Sequence, residues 1–532
     1  MNLSLRLGPR RRAWACVLAL GLFQVSRASS QSCASTELCG DSEPQRPSCS
    51  ANSHKLKRVV GYYEEWSKKR PCNQIYPEQI PTGVYTHLNA AFAYIHAETY
   101  KLQPRSEESS PYESLTSLKK RERDLKVFIA VGGWAFNAPG PTATIFSDME
   151  ADPRKCDTFI SSVVDFVNSH EFDGIDIDWE YPGAEDRGGK DEDFANFPVF
   201  IAKLKKALST TTAGRHGVSI TLPAYSQYLR HFDMKALEPY VDFFNIMTYD
   251  LHGSWDMSNG VGPYLNAHTN LTEVKKVMDL LWRDGVNPDK VVLGLAFYGR
   301  TYIMQEPDTC RDPGCKYISK GSEAPCGNEA GVVFNSEIEQ VASQTSGQAQ
   351  LYEDAAVKIL RYNHDHWMSF DDEETFAMRV GFAKSQCLGG VMVWAVSHDT
   401  SDGRYSLAVG NAVGRNATPG PIEAKLVSDT YGDELNRTGS PEGEGCPTGW
   451  LMTERNASEF RDGKELTEFK HCQDRGNRQF CCAPQKSLAS TPGKLPRNLF
   501  VVGCLVLGLD GSAIAAAAAC LLAAYCLSFQ AV

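Results

Sequence analysis

Between Phe172 and Pro182 the chain reads Phe-Asp-Gly-Ile-Asp-Ile-Asp-Trp-Glu-Tyr-Pro, so Asp176, Asp178 and Glu180 alternate with Ile175, Ile177 and Trp179. As a β-strand, this period of two sends three carboxylates to one face and three apolar side chains to the other. Same-face neighbours on a strand lie about 7 Å apart, and three like charges at that spacing are costly in a low-dielectric interior. Such a row is tolerable only where a proton is shared or a cation supplies the missing charge. A solvated acidic edge strand is a poor alternative, because Ile175, Ile177 and Trp179 also need burial. A calcium loop fits worse: its sixth position should be Gly, and the sixth residue from Asp176 is Tyr181. General acid/base chemistry is the reading these residue types support.

Eight short apolar, β-branched runs follow one another: Arg58–Tyr63, Thr86–Tyr94, Lys126–Val131, Gly174–Trp179, Val218–Leu222, Phe243–Thr248, Val291–Leu295 and Gly390–Trp394. Most are separated by helical periodicity, as in Phe194–Leu208 and Glu273–Trp282. The pattern predicts an α/β fold, a (β/α)8 TIM barrel of parallel strands, with the active site at the C-terminal strand ends. Glu180 falls at that end of its strand. The interval from Gly299 to Cys387 is too long for one helix and predicts an α+β insertion, about residues 301–370, between the seventh and eighth strands.

The run Asp173-x-x-Asp176-x-Asp178-x-Glu180 matches the signature of glycoside hydrolase family 18 chitinases. Gly61-Tyr62-Tyr63 resembles that family's first strand, Asn89-Ala90-Ala91-Phe92-Ala93 the second and Gly132-Gly133-Trp134 the third. Met247-Thr248-Tyr249-Asp250 resembles the sixth and Gly390-Val391-Met392-Val393-Trp394 the eighth. These landmarks keep the family's order from Arg58 to Asn411. Asp186-Arg187-Gly188-Gly189 and His268-Thr269-Asn270-Leu271-Thr272 resemble the multimodular fungal chitinases in particular. One departure is Ala130, where many relatives carry Ser; a supporting hydroxyl is therefore expected to be missing.

The resemblance implies roles. Glu180 would protonate the glycosidic oxygen, and Asp178 would hold the substrate's acetamido N–H and stabilise a positive oxazolinium intermediate. Asp176 would share a proton with Asp178, and Tyr249 would hydrogen-bond the acetamido carbonyl. Asp250 would bind a sugar hydroxyl. Tyr62, Phe92, Gly133, Trp134, Tyr181, Met247, Arg300 and Trp394 would line the substrate groove, with Trp394 as the floor beneath the reacting sugar. Trp255 also falls just past a strand end, and Tyr298 and Tyr302 flank Arg300 at the entry to the insertion, which forms one groove wall in relatives. No metal or other cofactor is expected.

The flanks point to the compartment. Residues 1–28 join basic Arg6, Arg10, Arg11 and Arg12 to an apolar stretch and small residues, the pattern of a signal peptide. Without them the chain keeps 49 basic and 65 acidic residues, net −16, which excludes a nucleic-acid footprint and suits a neutral sugar polymer. Sequons at Asn270, Asn416, Asn436 and Asn456 fit a glycosylated secreted chain. Of 17 Cys, one lies in the leader and three in the C-terminal apolar tail, leaving thirteen and so one free or intermolecular thiol. Cys310, Cys315 and Cys326 are expected to staple the insertion, and the scattered His residues argue against zinc.

The resulting domain plan has an N-terminal Cys-containing segment at 29–56, resembling the remnant of a chitin-binding module, and a catalytic barrel at 57–415. A linker at 416–445, a Cys-rich module at 446–483, a second linker at 484–498 and an apolar tail at 499–532 follow. Small residues at Ser487–Thr491, a polar spacer and that tail are the ingredients of a lipid-anchor signal, favoured over a transmembrane helix. Either would hold the barrel outside the cell at a membrane or wall. The expected activity is retaining hydrolysis of β-1,4-linked N-acetylglucosamine in chitin and chitooligosaccharides. The rivals are an endo-β-N-acetylglucosaminidase acting on N-glycans, with the same chemistry and another groove, and a chitin-binding lectin on the same barrel. Such lectins usually lose the acid, and Glu180, Asp178 and Tyr249 are all present here.

Overall fold

The computed structural model describes residues 44–105, 112–211, 214–343 and 348–421, together with strands Leu451–Arg455 and Arg478–Cys482. The leader, Cys33, Cys39, Cys446, Cys472, the sequons Asn436 and Asn456, and the apolar tail lie outside the described residues. Among the described residues no helix is long and apolar enough to cross a membrane.

Eight parallel strands close into the expected barrel. They are β1 (Arg58–Glu64), β2 (His87–Ile95), β3 (Lys126–Gly132), β4 (Gly174–Asp178), β5 (Gly217–Pro223), β6 (Phe243–Met247), β7 (Val291–Ala296) and β8 (Gly390–Trp394). Each pairs with its neighbour in order, β8 pairs with β1, and β1 with β2 completes the ring. The main crossover helices are α1 (Pro153–Ser169), α2 (Asp193–Leu208), α3 (Leu271–Arg283), α4 (Glu373–Ser385) and α5 (Arg404–Val413). Their starts follow local chemistry: Asp152 caps α1 by accepting from Arg154 N at 2.8 Å, with Pro153 in the first turn. Asn270, one of the sequon residues, caps α3, and its Nδ2 donates to Glu273 at 2.7 Å.

The alternation around Asp176 is resolved by two cores. Ile175, Ile177 and Trp179 point outward into the large apolar layer beneath the helices, where Trp179 stacks on Phe146 at 5.1 Å. The inner cluster fills the barrel with Val60, Tyr62, Phe92, Phe128, Ala130, Phe243 and Met392, and the carboxylate face of β4 opens into it. Ala130 stands in register beside Asp176.

The insertion after β7 is an antiparallel sheet running from Tyr298–Met304 to His366–Phe370, with the helix Asn335–Ser343. Its disulfides differ in part from expectation. Cys310 pairs with Cys315 inside it, but Cys326 pairs with Cys72 in the β1–β2 loop, so this bridge ties the insertion to the barrel. Cys49 pairs with Cys387 just past α4, and its N–H donates to Ser385 O, so residues preceding β1 are fastened to the barrel wall. Cys156, buried on α1, is free. The Cys49–Cys387 bridge spans 338 residues. Replacing both by Ser should lower unfolding stability by about 2–5 kcal/mol in denaturant titrations, the scale for losing a native long-loop disulfide. A loss under about 1 kcal/mol would show that this bridge is not holding the N-terminal segment in place. The strands Leu451–Arg455 and Arg478–Cys482 form an antiparallel pair in a separate C-terminal unit.

Candidate active site

At the C-terminal mouth of the barrel the glycines act through the backbone. Gly132 and Gly133 have φ of 111° and 85°, and Gly133 N donates to Asp178 O at 2.8 Å. A Cβ on Gly132 would meet that carbonyl at 2.2 Å, and one on Gly133 would meet the Phe92 ring at 2.5 Å. The pair therefore lets the β3 loop lie against the carboxylate strand, and Gly133 contributes its backbone.

Asp176 is fully buried and accepts three hydrogen bonds: Tyr62 OH at 2.6 Å, Ser219 Oγ at 2.6 Å and Asn245 Nδ2 at 3.1 Å. The hydroxyl absent at Ala130 thus leaves the carboxylate with donors from β1, β5 and β6. Burial still pushes the Asp176 carboxyl above its ordinary value, with those donors pulling the other way. Asp178 accepts from Thr221 Oγ1 at 2.5 Å. Burial, and then the charges of Glu180 and Asp176, push it well up. Glu180, just beyond the strand, is pushed up to about 7 by burial, with the Arg187 charge opposing. The Asp178–Glu180 pair thus keeps a proton near neutrality, because two adjacent buried negative charges are disfavoured.

Past β6, Tyr249 shares this environment. Its hydroxyl is kept protonated by burial and by Asp178, Glu180 and Asp250. Among the described residues it donates only to Met392 Sδ, at 3.7 Å, a weak acceptor that a better one would displace. Asp250 has φ 58° and accepts from Tyr298 OH and Arg300 Nε, both at 2.7 Å, with His268 Nδ1 at 3.5 Å. Burial would raise its pKa, but the Arg300 charge and the His268 and Arg300 hydrogen bonds outweigh it and hold this carboxyl well below the usual range. Asp250 remains ionised while the β4 row keeps a proton, so adjoining acids have opposite states.

The aromatic residues divide by position. Trp394 stacks on Phe92 at 5.7 Å and tilts against Tyr62 at 5.5 Å, and Phe92 stacks in turn on Trp66 at 6.2 Å. This line makes a partly open floor beside the carboxylates. Trp134 is 57% exposed on the rim, and Trp255 lies under the Arg300 guanidinium at 4.6 Å. Tyr181 stacks on Tyr228 at 4.4 Å, and half-buried Met247 packs against the inner cluster. The four residues expected to carry the chemistry, the eight expected to line the groove and Asp250 occur around this one mouth. Ser219, Thr221 and Asn245 were missed by the sequence reading. Their signal was present as Ser219 and Thr221 alternating with apolar residues inside β5 and as one polar residue, Asn245, inside the otherwise apolar β6.

A ring of parallel strands whose mouth holds proton-bearing carboxylates beside an aromatic floor makes a candidate acid/base site at the C-terminal end of a (β/α)8 barrel. Residues 58–399 match the model of glycosyl hydrolases family 18, and the chain belongs to that family. It is 32% identical over 358 residues to the secreted chitinase LysM12 of Penicillium expansum; the match covers 64% of this chain and 23% of that relative. The chain thus spans about a quarter of that relative's length. A probable chitinase 2 of Drosophila melanogaster is 31% identical, covering 73% of this chain and 77% of the relative. Among solved structures, a group IV chitinase of Ostrinia furnacalis in complex with allosamidin superposes with a TM-score of 0.59 at 27% identity, covering 67% of this chain and 97% of that one.

Proposed function

We propose that this chain hydrolyses β-1,4-linked N-acetylglucosamine in chitin and chitooligosaccharides with retention of configuration, using the substrate's own acetamido group as nucleophile. The observation that carries the reading is the buried Asp176–Asp178–Glu180 row, which retains a proton near neutrality beside the Trp394 floor and the loosely held Tyr249 hydroxyl.

Glu180 gives its proton to the glycosidic oxygen as the bond to the anomeric carbon breaks. Tyr249 leaves Met392 and donates to the acetamido carbonyl, aligning its oxygen with that carbon. Asp178 turns from Thr221 to the acetamido N–H, and its negative charge offsets the positive ring that forms. Asp178 starts with a second proton of its own, and Asp176, held by Tyr62, Ser219 and Asn245, takes up that proton as Asp178 turns. Glu180, now ionised, draws a proton from the water that opens the oxazolinium. Ionised Asp250 accepts from a sugar hydroxyl, and Trp394 stacks beneath the ring. The matches to chitinases support this substrate class over N-glycans. The leader pattern and three disulfides among the described residues support an extracellular site of action.

Incubation with soluble N-acetylglucosamine tetramer and hexamer should release shorter oligomers. The Glu180 carboxyl must start protonated, and its pKa is raised to about 7. Its acid form therefore persists below that pH and is lost above it, so kcat/KM should fall tenfold for each further unit on the alkaline side. A profile flat to pH 9 would remove Glu180 as the acid. Release of intact N-glycans with no oligomer cleavage would transfer the reading to an endo-β-N-acetylglucosaminidase.

A further inference from the structure

Arg187 has no part in the proton transfers above, yet it is buried at the mouth of the site on the turn Glu185–Arg187. Its Nε donates to the backbone carbonyl of Glu180 at 3.0 Å, and its Nη2 donates to the backbone carbonyl of Trp134. The guanidinium carbon lies 3.6 Å over the Trp134 ring. One side chain thus fastens the residue carrying the acid to the residue carrying a rim indole, across the loops that follow β3 and β4. Gly188 fixes where Arg187 leaves the chain: its φ is 76°, and a Cβ there would meet the Ala143 carbonyl at 2.5 Å. Trp134 remains 57% exposed although the guanidinium covers one ring face, so the other is free to receive a sugar. An indole backed in this way is ordered before anything binds, which removes part of the entropic cost of binding.

We propose that Arg187 is a positioning residue that presets Trp134 as a stacking platform for a sugar ring and fixes it relative to the Glu180 acid. The proposal rests on the hydrolytic reading above. It requires a planar fork that donates twice while lying flat on an indole, and a lysine ammonium, which has donors but no plane, cannot combine the two.

The test is steady-state hydrolysis of the tetramer and hexamer by Arg187→Lys and Arg187→Met, with thermal unfolding measured alongside. Both variants should raise KM about tenfold through loss of the preset platform. The two should part in pH. Glu180 is faced by Asp178 from β4, by Tyr181 beside it, by Tyr249 and Asp250 past β6, and by Arg187. Removing the positive charge disfavours the ionised carboxyl, so the alkaline limb should move to higher pH in Arg187→Met. Arg187→Lys should restore the limb without restoring KM. In a Trp134→Ala background, Arg187→Lys should change KM by less than about twofold, since the platform is already gone. A structural role alone would lower the unfolding temperature and leave this pattern absent. Unchanged KM in Arg187→Lys, or a full additional effect in the Trp134→Ala background, would overturn the proposal. If Arg187→Met fails to fold, the Lys variant and the double variant still decide. If the wild-type chain cleaves neither oligomer, the hydrolytic reading fails separately. Tetramer binding by calorimetry then decides the platform, and equal Kd for wild type and Arg187→Lys would overturn it.

Discussion

Glu180→Gln should lower turnover of chitin oligomers by at least about a hundredfold, the scale of positioned acid catalysis, and leave their binding within a few fold. Glutamine keeps the shape of the side chain but has no proton to give to a leaving oxygen. The folded protein should tolerate it, because burial already favours an uncharged group at this position. The bond from Arg187 Nε goes to the Glu180 backbone carbonyl, so it survives the exchange. Trp394, Phe92 and Trp134 are untouched, and stacking should hold the substrate as before. Loss of binding in step with turnover would mean that Glu180 shapes the groove and another group supplies the proton.

The second large effect is expected from Asp178→Asn, with turnover down about a hundredfold, as when one preorganised electrostatic partner of a transition state is removed. Asparagine can still accept from Thr221, which bonds Asp178 at 2.5 Å, so the local fold has a way to persist. It cannot offset the charge of an oxazolinium. The variant should therefore bind ground-state oligomers normally and bind a cationic mimic of the intermediate much more weakly. A drop in turnover of less than tenfold would remove the electrostatic role given to this carboxylate.

Much of this arrangement was legible because the strand period is two. Three acids alternating with Ile175, Ile177 and Trp179 can satisfy both sets only between two environments, and the barrel provides them as an inner and an outer core. The eight strands were readable for a related reason: strands covered on both faces leave nearly continuous apolar runs. What escaped depends on closure. Ser219 and Asn245 meet Asp176 from 43 and 69 residues away, and no local pattern states that they will. The Cys72–Cys326 and Cys49–Cys387 bridges span 254 and 338 residues, so their pairing follows from the folded ring and not from spacing. Arg187 was visible only as part of a motif, because its two acceptors are backbone carbonyls, which a sequence does not distinguish.

The most direct measurement of the central claim is the anomer released first, read by rapid NMR or chromatography of fresh product before mutarotation. Attack by the acetamido oxygen inverts the anomeric carbon once, and water inverts it again. The account therefore predicts that the new reducing end appears as the β-anomer and that a thiazoline mimic of the intermediate inhibits. An initial α-anomer would mean direct displacement by water, and the roles given to Asp178 and Tyr249 would fall with it.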